Sequence, residues 1–419
     1  MPGTLVAMAV TAEQVAGNPG DSSGASPRDL SHEVSGTRSF LPAVEGLRAC
    51  AALGVIVTHV AFQTGHTSGA VGRLLGRFDL AVAVFFALSG FLLWRGHAAA
   101  VRGLRPTPAT GRYLRSRVVR IMPGYLVAVV VILLLLPGAT ADLTVWLANL
   151  TLTQIYVPLT LTSGLTQMWS LSVEMTFYLV LPLLALLARQ VPVRARIPVL
   201  LATAVLSLFW VRIPFGPDSG LNPWNWPPAF FSWFAAGMIL AELTVTRVGW
   251  FHRLARRRVL MGMFALAAFL VAASPLVGLE GLAPGSIVQV TLKTVMGALL
   301  AAALLAPLVL DRPDTPHRFL ASAPMVTLGR WSYGIFVWHL AALAMVFPMI
   351  GEFPFNGNMP VVLVLTVLFT IAIAAVSYGL VEQPCRAAYR RWEMRRARPD
   401  APAPPLDSAV TSVATPISR

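Results

Sequence analysis

Long apolar runs separated by short polar or basic stretches dominate the chain. Each run is long enough for a helix to cross a hydrocarbon core of about 30 Å. The pattern predicts an all-α, polytopic membrane protein with about ten transmembrane helices, at residues 41–62, 79–95, 118–136, 168–188, 197–213, 228–245, 258–274, 286–310, 326–348 and 360–381.

Arginines gather in alternate loops, which predicts the orientation of these helices. The loops after the second, fourth, sixth and eighth runs are rich in arginine, and the intervening loops hold few basic residues. Because cytoplasmic loops collect Arg and Lys, both termini are predicted to be cytoplasmic. The same distribution explains the net charge of +14. The excess of arginine therefore reflects the orientation of the helices in the membrane and does not indicate binding of nucleic acid.

The ends of the chain differ in composition from the apolar part. Residues 1–38 are small and polar, and we expect a disordered cytoplasmic arm. A ten-helix membrane domain is predicted over 39–385, followed by a basic and then Ala/Pro-rich disordered cytoplasmic tail over 386–419. The segment 138–167 has no basic residue and is predicted to be an external loop that dips back into the membrane.

The first apolar run carries three ionisable residues, Glu45, Arg48 and His59. Eleven helical steps bring Arg48 and His59 onto one face, about 16 Å apart. Ionisable groups inside a membrane are costly unless they face a partner or a wet cavity, so they are candidates for function. The alternative is that Arg48 reaches the membrane edge and His59 is a hydrogen-bonded core residue.

Three ionisable side chains are predicted at a similar depth. Helical rise places His59, Glu174 and His339 about 20 Å above the cytoplasmic face of the core. Such a level suits one polar site, in which a carboxylate would fix the tautomer of a histidine acting as a general base. Ser170 and Tyr178 share a helix face with Glu174. Ser332 shares a helix face with His339. The alternative interpretation of His339 is a hydrogen bond to a neighbouring helix.

Two further features are candidates for binding. Ser89, near the middle of the second run, is more typical of close helix packing than of a nucleophile. Arg117 and Arg120, at the cytoplasmic start of the third run, either mark topology or hold a phosphorylated donor through bidentate bonds. Lys293 is expected to reach the membrane surface and is given no role. No cluster has metal-ligand spacing, so no metal site is predicted.

Six motifs occur in the order found in one known family. They are Glu45–Arg48 with His59, FFALSGF at 85–91, RVVRIMP at 117–123, WSLSVE from Trp169 to Glu174, SYGIFVWH from Ser332 through Tyr333 to His339, and EQP at 382–384. With them, the chain resembles the membrane acyltransferase family 3, the integral membrane O-acyltransferases, over roughly Phe40 to Pro384. Ala83 stands where the family often has an acidic residue.

The resemblance implies transfer of an acyl group, commonly acetyl, from cytoplasmic acyl-CoA to a hydroxyl. Acyl-CoA is then a donor substrate, with no permanently bound cofactor, and the acceptor is a cell-envelope glycan, a glycolipid or a secondary metabolite. Under this hypothesis Arg117, Arg120 and Arg48 hold the coenzyme, His59 is the general base, Glu174 orients it, and Tyr333 or Arg48 stabilises the oxyanion.

The resemblance also implies a multi-pass protein of the bacterial inner membrane. A transporter or flippase that uses the buried Arg, His and Glu as a proton or substrate site is the alternative.

Overall fold

Every regular element is helical in the part of the chain that the computed structural model describes, residues 41–139, 142–213, 220–278, 285–312 and 315–396. This confirms the predicted all-α class. The helices are α1 Pro42–Gln63, α2 Gly69–Gly76, α3 Ala81–Val101, α4 Thr110–Leu135, α5 Leu143–Leu150, α6 Trp169–Arg189, α7 Arg196–Ser207, α8 Phe231–Leu243, α9 Trp250–Ala255, α10 Arg258–Ala272, α11 Ile287–Val309, α12 Ala323–Ile350, α13 Met359–Ser377 and α14 Gln383–Arg396.

Eight helical stretches of the described chain are long and apolar enough to cross a membrane. The sixth and seventh predicted spans correspond to the shorter apolar helices α8 and α10. An α-helix of 13 residues such as α8 extends only about 20 Å. Proline sets these limits, since Pro227 and Pro228 begin a 3-10 turn before α8 and Pro275 follows α10.

Glycines let the helices nearest the site approach closely. A Cβ atom on Gly237 of α8 would lie 1.8 Å from the carbonyl oxygen of Ala87 in α3, and one on Gly90 would lie 2.1 Å from that of Phe234. On α12, a Cβ atom at Gly329 would lie 2.1 Å from the carbonyl oxygen of Glu45 in α1. Small residues of this kind allow backbones to pack tightly inside membranes.

A buried ion cluster joins α3, α7 and α8. The carboxylate of Glu242 is fully buried and accepts hydrogen bonds from Arg196 Nε and Trp94 Nε1, each at 2.7 Å. Arg102 contacts its second oxygen at 2.7 Å. Because a buried charge is stable only when paired and hydrogen-bonded, this cluster fixes the relative positions of the three helices.

The segment 142–167 packs into the bundle. Asn149 is fully buried, and its side-chain amide donates to the carbonyl oxygens of Val145 and Thr160, each at 2.9 Å. Just before α6, Gln167 donates to the carbonyl oxygen of Val337 in α12 at 2.9 Å. These bonds place the start of α6 against the middle of α12.

Residues 386–396, which the sequence analysis assigns to a disordered tail, are helical. The difference arises because α14 packs against the start of α4. Glu393 forms an ion pair with Arg112 at 3.2 Å, and the Arg115 guanidinium lies 5.5 Å from the centre of the Trp392 ring. The predicted arm over 1–38 and the rest of the tail lie outside the described residues.

Candidate active site

A cavity lined by five helices contains most of the polar residues singled out in the sequence. The cavity has a volume of about 70 Å³. Hydrophobic side chains of α3, including Phe85, Leu88 and Leu92, form much of the wall. The sequence-predicted residues that line it are Arg48, Ser89, Arg117, Arg120, Ser170, Glu174, Tyr178, Ser332 and Tyr333.

Positive charge is concentrated on this cavity. Arg120 lies close enough to both Arg48 and Arg117 for their charges to repel one another. The ion pair of Arg48 with Glu45 is long, at 4.0 Å, and Arg117 Nε is buried without a hydrogen-bond partner among the described residues. The carboxylate of Glu174 offsets part of this charge, and a bound anion would stabilise the remaining positive charge, so the arrangement suits a negatively charged ligand.

One carboxylate in the wall of the same cavity accepts hydrogen bonds from two hydroxyl groups. Ser89 Oγ and the Tyr178 hydroxyl both donate to Glu174 Oε1, and the two hydroxyl oxygens are 3.3 Å apart. Ser170, one turn before Glu174, donates to the carbonyl oxygen of Gln167 at 3.3 Å. The partners of Glu174 are therefore Ser89 and Tyr178, whereas its depth in the membrane predicts it beside His59.

His59 and His339 are partners of each other. Nδ1 of His59 lies 3.3 Å from Nε2 of His339, and it also lies 2.8 Å from the carbonyl oxygen of Val55. Neither histidine is among the residues that line the arginine cavity. The ring of Phe336, which lines the cavity, is 5.8 Å from that of His339 and 6.2 Å from that of Phe85.

The remaining predicted residues divide between the cavity and its surroundings. The Tyr333 hydroxyl donates to the carbonyl oxygen of Ile121 at 2.7 Å, and Ser332 Oγ is buried without a partner among the described residues. Trp169 does not line the cavity and instead packs against Phe230, with ring centres 5.0 Å apart.

Sequence reasoning missed two ionic groups near the site. Lys293, expected to reach the membrane surface, contacts the carboxylate of Asp79 just before α3, and Asp79 acts electrostatically on His59. Glu382, in the π-helical turn Tyr378–Glu382, is buried, is paired with Arg386 at 2.8 Å, and acts on Arg48 and Arg120. The sequence shows that Asp79 and Lys293 each border an apolar run, but it does not show that the two residues pair.

Comparison with known proteins assigns the family. The acyltransferase domain of family 3 matches residues 41–379. The acyltransferase MdmB of Streptomyces mycarofaciens is 30% identical over 401 residues, which cover 88% of this chain and 97% of that protein.

More distant relatives are larger proteins. O-acetyltransferase OatA of Staphylococcus aureus strain NCTC 8325 is 23% identical over 83% of this chain and 57% of its own length. For the peptidoglycan O-acetyltransferase OatA of Listeria monocytogenes the identity is 24%, over 84% of this chain and 56% of that protein. The chain thus spans little more than half of either OatA protein, and no solved structure matches it. The match to the domain and the near-complete coverage of MdmB show that the chain belongs to the membrane acyltransferase family 3.

Proposed function

We propose that this protein transfers an acyl group, acetyl in the simplest case, from acyl-CoA to a hydroxyl group of a carbohydrate-bearing acceptor. A cell-envelope glycan, a glycolipid and a secondary metabolite all fit this description. The observation that carries the proposal is the cluster of three arginines around one cavity, whose wall residue Phe336 is 5.8 Å, ring to ring, from His339 of the imidazole pair.

The arginines are suited to a donor that carries phosphate groups. Guanidinium groups bind phosphate oxygens bidentately, and the repulsion among Arg48, Arg117 and Arg120 would be relieved by the anionic part of coenzyme A. Arg117 and Arg120 belong to the arginine-rich start of α4, which the charge distribution assigns to the cytoplasm. The donor therefore enters from the cytoplasmic side of a bacterial inner membrane.

His59 is suited to act as the general base. A carbonyl oxygen only accepts hydrogen bonds, so the 2.8 Å contact with Val55 requires a proton on Nδ1 of His59. In the neutral ring Nε2 then carries the lone pair. Nε2 removes the proton of the acceptor hydroxyl, whose oxygen forms a bond to the thioester carbonyl carbon.

Collapse of the tetrahedral intermediate completes the transfer. The carbon–sulfur bond breaks, the coenzyme A sulfur leaves with the electron pair, and the proton on His59 passes to it. Tyr333 already donates its hydroxyl proton to Ile121 and Arg48 lies about 16 Å from His59 along α1, so neither of these two predicted groups stabilises the oxyanion.

The thioester reaches His59 by passing Phe85 and Phe336. Arg48 and His59 are eleven residues apart on α1, about 16 Å of helical rise, which the extended pantetheine arm can span. Glu174 holds Ser89 and Tyr178 beside this path and so shapes the wall along which the thioester moves.

The test uses the purified full chain in detergent. With acetyl-CoA and an envelope extract as the acceptor, we expect release of free coenzyme A together with a 42-dalton acetyl mass on one component of the extract. His59→Ala abolishes both, whereas His252→Ala, a buried histidine outside the cavity that contacts the carbonyl oxygen of Leu243, retains them. Acetyl transfer that persists in His59→Ala contradicts the proposal, and solute transport without coenzyme A release supports the transporter alternative.

A further inference from the structure

The second histidine of the pair lies deeper in the bundle than the first. The side chain of His339 is fully buried, whereas His59 is half-buried. Their ring centres are 4.9 Å apart and the ring planes are inclined by 57°. A direct contact between two imidazoles inside an apolar bundle is costly unless both rings find hydrogen-bond partners.

The hydrogen bonds determine the proton positions of both rings. Nδ1 of His339 lies 2.7 Å from the carbonyl oxygen of Phe336, so this nitrogen must carry a proton. Nε2 of neutral His339 then presents a lone pair toward Nδ1 of His59. The proton on Nδ1 of His59 thus faces two acceptors, the carbonyl oxygen of Val55 at 2.8 Å and Nε2 of His339 at 3.3 Å.

The opposite tautomer of His59 is unfavourable in this setting. With its proton on Nε2, His59 would direct the lone pair of Nδ1 at a carbonyl oxygen and at a second imidazole lone pair. Both contacts would then be repulsive, and a buried acceptor without a donor costs free energy. The pair therefore keeps Nε2 of His59 as the unprotonated nitrogen.

The position of His339 is itself restrained. Gln167 donates to the carbonyl oxygen of Val337, two residues before His339, and the close approach at Gly329 holds α12 against α1. Since α1 carries His59, the two rings belong to helices whose separation is fixed by backbone contact.

We propose that His339 is a positioning residue that acts through His59. Its neutral imidazole holds the Nδ1-protonated tautomer of His59 and shares the positive charge that forms when Nε2 accepts the acceptor proton. In serine hydrolases a buried carboxylate performs this task; here an uncharged ring performs it, which avoids a further buried charge. The inference rests on the proposed function, because it presumes that His59 is the base.

Two substitutions at His339 distinguish the effect of its hydrogen-bond acceptor on His59 from the effect of its side-chain volume. His339→Gln retains an acceptor oxygen near the place of Nε2, whereas His339→Met fills similar volume without a comparable acceptor. We expect His339→Met to lower kcat by about 10- to 100-fold with the KM for acetyl-CoA unchanged, and His339→Gln to recover most of the loss. His252→Met is the matched control and retains wild-type kinetics.

A second measurement does not depend on turnover. In the 15N spectrum of histidine-labelled wild-type protein, with His59 assigned through His59→Ala, we expect the signals of the neutral Nδ1-protonated tautomer. In His339→Met the same signals should shift toward a mixture of tautomers. A wild-type spectrum with the proton of His59 on Nε2 overturns the inference even if the variants fail to fold.

The outcomes distinguish this inference from the proposed function. If His59→Ala is inactive while His339→Met turns over like wild type, or if the Gln and Met variants are equally impaired, the role of His339 is wrong and the general base stands. If His59→Ala remains active, the proposed role of His59 as general base is wrong, and the role of His339 that depends on it is wrong as well.

Discussion

Ser89 of α3 donates a hydrogen bond to the carboxylate of Glu174 of α6, and the Tyr178 hydroxyl donates to the same oxygen. The contact connects two family motifs that are 85 residues apart. It gives Ser89 a role that neither close packing nor nucleophilic attack describes, because its hydroxyl is held by a carboxylate on the cavity wall.

Replacing Glu174 by Gln tests this arrangement. Hydrogen bonds to a charged acceptor are stronger than those to a neutral one, so we expect kcat to fall by about 10- to 100-fold. Ser89→Ala combined with Glu174→Gln should cost less than the sum of the single changes, since both remove one interaction. The measurement is acetyl transfer from acetyl-CoA. Glu393→Gln, which removes an ion pair outside the cavity, serves as the control, and additive losses would contradict the arrangement.

The arginines should affect donor binding more than chemistry. We expect Arg117→Gln and Arg120→Gln each to raise the KM for acetyl-CoA about tenfold with a smaller change in kcat, because a charge-assisted contact to phosphate is lost. With acetyl-pantetheine, which lacks the phosphate groups, the variants and wild type should have the same KM. Arg253→Gln, an exposed arginine outside the cavity, is the control. An equal defect with both donors would argue against phosphate binding.

The close approach of α3 and α8 predicts how the fold responds to one methyl group. Gly237→Ala places a Cβ atom against the backbone of Ala87, and overpacking of this kind costs about 1–3 kcal/mol. At Gly262 on α10, no atom of another described segment lies within 4 Å of the new Cβ, so Gly262→Ala should stabilise its helix by up to about 1 kcal/mol. Thermal unfolding in detergent measures both. A Gly237→Ala protein as stable as wild type would show that α3 and α8 separate readily.

The ion cluster at Glu242 makes a further prediction about stability. Glu242→Gln leaves Arg196 and Arg102 without their counter-charge, and loss of one partner from a buried pair costs about 3–5 kcal/mol. Glu393→Gln breaks the pair with Arg112, whose side chain is 67% exposed, and should cost less than about 1 kcal/mol. Chemical denaturation of the two variants compares these values, and similar losses would contradict the distinction between buried and exposed pairs.

Sequence periodicity predicts what lies along one helix better than what lies between helices. Ser170, Glu174 and Tyr178 are predicted on one face, and all three line one cavity. The depth estimate brings His59, Glu174 and His339 to one level, yet depth carries no lateral information. It therefore could not choose between His339 and Glu174 as the partner of His59.

Other differences have similarly local causes. Hydropathy measures the length of an apolar run, whereas prolines decide where α8 and α10 begin or end. Composition suggests disorder for residues 386–396, and contacts with Arg112 and Arg115 nevertheless keep them helical. The contact between Lys293 and Asp79 joins residues 214 positions apart, a distance over which local patterns carry no information.

Arg48 and His59 belong to the single unbroken helix α1, and this has a consequence for substrate choice. A rigid helix keeps the distance between the two side chains fixed, because no hinge or loop lies between them. A small activated acyl compound without a long arm can occupy one end of the interval but not both. Under the proposed function, the eleven residues of regular helix between Arg48 and His59 select a donor with a long arm, whichever hydroxyl receives the acyl group.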